Sequence, residues 1–166
     1  MELKERIFQQ TVAFLTSAHN LQSEFTKVVP KEDITPLQFD ILIFLSIQQP
    51  LTPSQISDCM NMSMPNTSRE LRKLTERGLC EKYSDAMDRR KQYIRLSQSG
   101  WAYMEGAFDQ MKQELNKRLN GWTVEELENI SQALELLQST LFRTPAVQVD
   151  KLLQENMGTT RSDLEG

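Results

Sequence analysis

Residues 63–74 read SMPNTSRELRKL and residues 88–96 read DRRKQYIRL, and these two stretches decide the fold. In the first, Ser63 or Met64 can cap a helix, and Pro65 suits the first turn because a helix start leaves its N–H groups unpaired. The second stretch begins with basic residues and then alternates polar and apolar residues, which is typical of a half-buried strand. Together they predict a helix with a basic outer face, followed by a two-stranded ribbon with a basic tip.

One face of this helix should be buried and the other should be open to a ligand. Thr67, Leu71 and Leu74 fall on one side at helical spacing, so we expect them to pack on the preceding helices. Short polar side chains near a helix start can approach base edges in the DNA major groove, and arginine can bind guanine edges or phosphates. The predicted DNA-binding residues of this helix are Ser63, Met64, Pro65, Asn66, Thr67, Ser68, Arg69, Arg72 and Lys73.

The ribbon supplies a second candidate contact with DNA. We expect its strands at about residues 79–84 and 91–96, with Ile94 and Leu96 facing inward. A basic loop at the end of such a ribbon suits a wing that reaches the neighbouring phosphate backbone or the minor groove. The predicted wing contacts are Asp88, Arg89, Arg90 and Lys91.

Charge is distributed unevenly along the chain. The whole sequence has a formal net charge of −4, which by itself argues against nucleic acid as a partner. Residues 69–95, however, contain nine basic and five acidic side chains, a local net charge of +4, so the remainder carries −8. A solvated charged face is the alternative interpretation, but the order of helix and ribbon favours a nucleic-acid surface.

Capping signals mark the other helices. Thr35 and Thr52 each precede a proline and are followed three residues later by glutamine, and Thr123 is followed by Glu126, a pattern that caps a helix start. The helix that opens at Thr35 is apolar nearly all round and should be the buried centre. We predict a mainly α, α+β winged helix-turn-helix over about residues 36–97, flanked by amphipathic helices over about residues 3–28, 98–120 and 124–142.

The three flanking helices have more apolar surface than the winged helix-turn-helix can cover. We therefore expect their apolar faces to pack against a second copy of the chain, as dimerisation helices. A short helix over about residues 144–154 and a disordered tail over residues 158–166 are also expected, and residues 1–157 are taken as one domain.

The order of these elements resembles the MarR family of winged-helix transcription regulators. The resemblance covers about residues 3–142. Its sharpest motifs are LQFDIL at residues 37–42, residues 62–79, and residues 88–91 running into residues 94–100, where Asp88 and Arg90 match the wing pattern of the family. It implies a homodimer that binds a palindromic operator in double-stranded DNA, usually as a repressor released by a small organic ligand or by oxidation. No cofactor is expected.

Other functions are weighed against this one. We predict neither catalysis nor a metal site, since the chain has one histidine and no glycine-rich phosphate loop, nucleophile elbow or metal-ligand cluster. A winged helix used for protein–protein contact is one alternative, although such modules often lose the basic wing tip. A thiol-based redox-responsive regulator that uses Cys59 or Cys80 is another, although a buried free cysteine is usually inert.

Location is predicted from what the sequence does not contain. The charged N-terminus leads into no apolar run of signal-peptide type, and no stretch approaches the ~20 apolar residues of a membrane span. The two cysteines suggest no disulfide framework. We therefore expect a protein of the reducing cytoplasm, away from membranes.

Overall fold

In the computed structural model, residues 2–29, 33–84, 88 and 90–142 are described. Along the chain they form α1 (Leu3–Lys27), α2 (Pro36–Ile47), α3 (Pro53–Cys59), α4 (Met64–Glu76), β1 (Cys80–Ser84), β2 (Gln92–Leu96), α5 (Gln98–Arg118) and α6 (Val124–Thr140). The predicted fold class, a mainly helical winged helix-turn-helix, is confirmed. The expected helix over residues 144–154 and the tail over residues 158–166 lie outside the described residues, and the single domain over residues 1–157 stays a prediction.

The helix starts are built as the sequence predicts. Thr35, Thr52 and Thr123 each accept a hydrogen bond from the backbone N–H three residues later, and the side chain at that later position accepts one from the threonine N–H. Ser63 caps α4 by accepting from the N–H of Asn66 at 3.4 Å. Such caps stabilise a helix by about 0.5–2 kcal/mol each. They explain why these four helices begin where their cap residues stand.

The described residues form two compact units, and α5 contributes to both. One unit contains residues 33–106 together with the described residues from Trp122 onward, and it holds the winged helix-turn-helix. Its core includes Phe39, Leu42 and Leu45 of α2, each at most 2% exposed. Large apolar side chains of this kind contribute about 1.5–3 kcal/mol each when fully buried. The prediction that α2 is the buried centre therefore holds.

The ribbon is a two-stranded antiparallel sheet that is anchored from a third segment. In the register of β1 and β2, Cys80 lies opposite Leu96. Ile94 and Leu96 are 0% and 2% exposed, so the predicted inward face of β2 is correct. Leu51, just before α3, forms an isolated antiparallel bridge with Ile94. This bridge ties the root of the ribbon to the start of the helix-turn-helix, and the sequence did not predict it.

The start of α5 is held against the end of the helix-turn-helix. Ser97 accepts a hydrogen bond from the N–H of Gly100 at 3.0 Å, donates its hydroxyl to the carbonyl oxygen of Gly78, and donates its N–H to the carbonyl oxygen of Leu79 at 3.0 Å. Gly78 has a φ of 72°, in the left-handed region that favours glycine, where the chain leaves α4 for β1.

The second unit contains the described residues up to Val29 and residues 107–121, and thus α1 and the C-terminal half of α5. Within it, Arg118 of α5 forms an ion pair with Glu24 of α1. No residue of α1 is buried, and the same holds for α6 in the other unit. None of the described helices combines the length and the apolar character that crossing a membrane requires.

Candidate nucleic-acid interface

The turn between α3 and α4 sets the direction of the basic helix. The Ser57 hydroxyl donates to the carbonyl oxygen of Met62 at 2.7 Å, and the N–H of Met62 donates to the carbonyl oxygen of Ser57 at 2.9 Å. Asn61 has a φ of 50°, a left-handed conformation that asparagine tolerates better than most residues. Because Ser57 is itself buried, this pair of bonds fixes α4 relative to α3.

The inner face of α4 is buried as predicted. Thr67, Leu71 and Leu74 are each at most 1% exposed. The Thr67 hydroxyl donates to the carbonyl oxygen of Ser63 at 3.1 Å. The sequence also predicts Thr67 as a DNA contact, but a side chain with no exposed surface cannot meet a base. The prediction of Thr67 as a DNA contact is therefore wrong, and Thr67 instead packs in the core.

The outer face of α4 presents the polar and basic side chains that the sequence predicts. Among the predicted contact residues, those that are exposed are Ser63, Met64, Pro65, Ser68, Arg69, Arg72 and Lys73, and Asn66 is half-buried. Arg69 is held on two sides: its Nη2 donates to Asn66 Oδ1 at 2.5 Å, and its Nε donates to Glu70 Oε1 at 3.0 Å. The guanidinium is thus oriented although its side chain is 59% exposed.

Glu70 is the residue of this surface that the sequence did not single out. It is 4% exposed, although acidic side chains are rarely buried unless paired. Gln38 Nε2 donates to Glu70 Oε2 at 2.8 Å, and Lys73 Nζ lies 3.3 Å from Glu70 Oε1. Burial acts to raise the pKa of Glu70, but the hydrogen bonds from Gln38, Arg69 and Lys73 outweigh it and lower that pKa below its usual value. Glu70 is therefore an ionised, buried carboxylate.

The Gln38 side chain serves two helices at once. Its amide oxygen accepts from the N–H of Thr35 at 3.2 Å, completing the cap of α2, and its amide nitrogen donates to Glu70 on α4. The oxygen and the nitrogen of the Gln38 side-chain amide therefore each have a hydrogen-bond partner. Adjacent cations at Arg69 and Lys73 were the sequence signal for a paired carboxylate, but the donor from α2 was not visible in the sequence.

The wing turn is organised by Asp88. Its Oδ1 accepts a hydrogen bond from the Arg90 N–H at 3.1 Å, and its carbonyl oxygen accepts from the Lys91 N–H at 3.0 Å. The side chains of Arg90 and Lys91 are exposed. Arg89 lies outside the described residues.

Below the tip, side chains stiffen the ribbon. Tyr83 and Tyr93 lie opposite each other and stack, with ring centroids 5.6 Å apart. Arg95 lies over the Tyr83 ring at 4.9 Å and forms an ion pair with Glu81 at 2.6 Å. Arg95 belongs to the basic window of residues 69–95, but Glu81 offsets its charge, and Glu70 offsets one of the two charges of Arg69 and Lys73. The exposed cations of the wing tip are therefore spatially distinct from the paired ones.

The environments of the two cysteines bear on the alternative of a thiol-based regulator. Cys59 is exposed on α3, whereas Cys80 is buried and burial raises its pKa to about 12. A thiol with so high a pKa forms almost no thiolate at neutral pH, so Cys80 is unsuited to redox sensing.

A cavity of about 220 Å³ lies at the root of the ribbon, lined in part by Gln49, Tyr83 and Trp101, and it is smaller than typical sites for organic ligands.

Comparison with known protein families gives a match over the same segment. Residues 32–91 match the model of the MarR family, so the match covers α2 to the wing. An uncharacterised HTH-type transcriptional regulator of Bacillus cereus is 28% identical to this chain over 101 residues. That alignment covers 61% of this chain and 65% of the relative. The relatives found in this comparison are HTH-type transcriptional regulators.

Solved structures show the same fold. A MarR family protein from Bacillus stearothermophilus superposes with a TM-score of 0.73 at 20% identity, covering 86% of this chain and 99% of that chain. A mutant of MepR from S. aureus, solved bound to an oligodeoxyribonucleotide, superposes with a TM-score of 0.54 at 25% identity. It covers 80% of this chain and 97% of that chain. The fold is therefore that of winged helix-turn-helix regulators, one of which was solved on DNA.

Proposed function

Since residues 32–91 match the model of the MarR family, we propose that this chain acts as a homodimeric repressor that binds a palindromic operator in double-stranded DNA. In this proposal, a small organic ligand releases the protein from the operator. The observation that carries the proposal is the pairing of two exposed basic surfaces in one unit: the outer face of α4, and the wing tip at Arg90 and Lys91.

The two surfaces suit different parts of a duplex. The start of α4 carries Ser63, Asn66 and Arg69, short or oriented side chains of the kind that reach base edges in the major groove. Arg90 projects from the turn of a ribbon, which suits the narrower minor groove or the phosphate backbone. We propose that α4 reads sequence and that the wing provides affinity.

A second copy of the chain is the proposed occupant of the exposed apolar faces. On α1, Phe8 is 62% exposed, and on α6, Val124 and Leu134 are 72% and 48% exposed. Exposed apolar side chains spaced along whole helices are unusual for a monomer, and burying each large one contributes about 1.5–3 kcal/mol. A two-fold dimer would present two copies of α4 about 34–36 Å apart, one per half-site, and this spacing is why the operator should be palindromic.

Release by a ligand requires that the ligand prefer the form that does not bind DNA, because a compound with equal affinity for both forms shifts nothing. The alternative in which a thiol does the switching is left to Cys59, since Cys80 is buried with a raised pKa. The alternative in which the winged helix binds another protein predicts no DNA binding at all.

The test is selection of duplexes from a randomised pool by the purified protein, followed by titration of the enriched sequence. We expect an inverted repeat with half-site centres about one helical turn apart, bound by two chains. Enrichment of no sequence, together with no binding to random duplex, would contradict the proposal and favour a protein-binding role. An enriched sequence without two-fold symmetry would contradict the dimer. Addition of an oxidant to a Cys59→Ser variant and to the unmutated protein separates thiol switching from release by a ligand.

A further inference from the structure

We propose that Glu70, held by Gln38, is the residue that positions Arg69 for sequence reading, and that Arg69 thereby recognises a guanine in each half-site. The inference rests on the proposed function and deepens it. It starts from one observation: a carboxylate that is 4% exposed lies directly behind the exposed reading face of α4.

Stability alone gives no reason for a carboxylate rather than an apolar residue in this place. Burying an ionised group is costly, and replacing a buried ion pair by apolar residues is often neutral or stabilising. The inner face of α4 already contains fully buried Leu71 and Leu74, so an apolar residue at position 70 would extend that packing. What an apolar residue could not do is accept hydrogen bonds from the outer face. This points to a role at the surface.

The geometry at Arg69 defines that role. Glu70 Oε1 binds the Nε edge of the guanidinium at 3.0 Å, and Asn66 Oδ1 binds Nη2 at 2.5 Å. The plane of the guanidinium is fixed by two bonds on different nitrogens. Guanidinium has five N–H donors, so its outer end keeps donors for a ligand. Two parallel N–H groups match the O6 and N7 acceptors of guanine in the major groove. No other base presents two such acceptors side by side there.

Gln38 fixes Glu70 in turn. Its amide nitrogen reaches Glu70 Oε2 at 2.8 Å, while its oxygen is committed to the cap of α2. The chain of contacts runs from the buried core through Gln38 and Glu70 to Arg69, so the guanidinium loses little freedom when it meets a base. Ordering a side chain before binding reduces the entropy that association costs.

Glu70 also limits binding to random sequence. Its charge is shared by Arg69 and by Lys73, whose Nζ is 3.3 Å away. The carboxylate therefore offsets one of these two positive charges, which leaves both cations less available for phosphates. Specificity gains from an element that weakens the wrong complex as well as from one that strengthens the right complex.

The experiment compares Glu70→Gln with Glu76→Gln. Glu76 lies on the same helix, 67% exposed, and pairs with Arg72 at 3.8 Å, so both substitutions remove one negative charge from α4. We expect both variants to bind mixed-sequence duplex more tightly and with a steeper salt dependence. Only Glu70→Gln should lose preference at one position of each half-site, by roughly 5- to 150-fold, the discrimination of a bidentate arginine–guanine contact. The probe is the duplex enriched by the unmutated protein, with every base varied in turn.

A cycle with Arg69→Lys tests whether Glu70 acts through Arg69. Lysine keeps the charge but lacks the planar fork, so Arg69→Lys should lose the same guanine preference. Glu70→Gln added to Arg69→Lys should then change preference no further, whereas independent roles would give additive losses. Retention of the preference in Glu70→Gln, or additive losses, would overturn the proposal. If Glu70→Gln does not fold, Arg69→Lys is the deciding variant. Unchanged base preference at every position of the half-site in Arg69→Lys would refute the proposal. Failure of the unmutated protein to enrich any duplex would instead refute the proposed function.

Discussion

At the residue scale, Gly100 is set by a contact that leaves no room for a side chain. A Cβ at this position would lie 2.0 Å from the carbonyl oxygen of Leu79, a backbone atom that cannot turn aside. The same carbonyl accepts the N–H of Ser97. The close approach therefore joins the start of α5 to the junction between α4 and β1.

We expect Gly100→Ala to lower the free energy of unfolding by about 1–3 kcal/mol or more, because backbone must move to admit the methyl group. Gly106→Ala on the same helix is the matched control, since a Cβ there meets nothing within 4 Å. Alanine favours helix over glycine by up to about 1 kcal/mol, so the control should be neutral or more stable. Chemical denaturation measures both. Equal stabilities for the two variants would show that the contact at Leu79 is not as close as described.

Replacing Arg69 or Arg90 by alanine is expected to change DNA binding in different ways. Arg69→Ala should cost about 1–3 kcal/mol on the enriched duplex and relax preference at one base pair in each half-site. Arg90→Ala should weaken binding to enriched and random duplexes alike and should lower the salt slope by about 1 per wing. Competition titrations against both duplexes distinguish these results. If Arg90→Ala removed preference while Arg69→Ala kept it, the roles of helix and wing would be exchanged.

At the scale of the element, Gln38 and Glu70 couple the start of α2 to the middle of α4. The sequence separation of 32 residues makes this a tertiary contact between two helices. Since it involves an ionised carboxylate with a lowered pKa, the contact should respond to pH. A carboxylate whose folded-state pKa is below its unfolded value stabilises the fold above the unfolded value, and this contribution is lost as pH falls through the folded-state value.

We therefore expect Glu70→Gln to be less stable than the unmutated protein near neutral pH, by roughly 1.5–3 kcal/mol for hydrogen bonds to a charged group. The difference should shrink as pH falls below the ordinary glutamate value of 4.5. Glu76→Gln, which alters an exposed pair, should show little difference at any pH. Unfolding in denaturant at a series of pH values provides the comparison. A difference for Glu70→Gln that is constant with pH would mean that its ionisation does not stabilise the fold.

At the scale of the whole molecule, α1 and α6 carry apolar side chains that none of the described residues buries. We propose that a second copy of the chain, related by a two-fold axis, packs on these apolar side chains. We expect Leu134→Asp to yield dissociated, poorly folded chains, because it places a charge in an apolar seam. Gln132→Asp introduces the same charge at an exposed polar position of the same helix and should remain a folded dimer. Sedimentation measures both. A folded monomer of the unmutated protein would contradict the dimer.

Salt dependence is also a property of the whole assembly. If a dimer neutralises about six to ten phosphates, affinity for duplex DNA should fall by roughly 10³- to 10⁵-fold between about 50 and 200 mM salt. The exposed cations of the wing tip and the outer face of α4 supply this attraction, although the chain has a net charge of −4. Titrations at several salt concentrations measure the slope. Affinity that does not change over this range would remove the electrostatic part of the proposal.

Much of this molecule could be predicted from the sequence because the relevant signals are local. A threonine followed three residues later by glutamine or glutamate caps its own helix, and Thr35, Thr52 and Thr123 all do so. Residue spacing alone placed Leu71 and Leu74 on the inner face of α4. Helix starts, helix faces and strand alternation depend on neighbours within a few residues, so the sequence alone determined the fold class and the basic surfaces.

Only the tertiary structure decided how the reading face is held. The burial of Glu70, its bond to Gln38 and the bridge between Leu51 and Ile94 join residues far apart in the chain. Thr67 lost its predicted role because it points into the core, between helices whose packing the sequence does not specify in detail. Charge counted along the sequence likewise could not show that Arg69 and Lys73 share one carboxylate. Burial and pairing depend on distance in space, and that distance is determined only when the helices have packed.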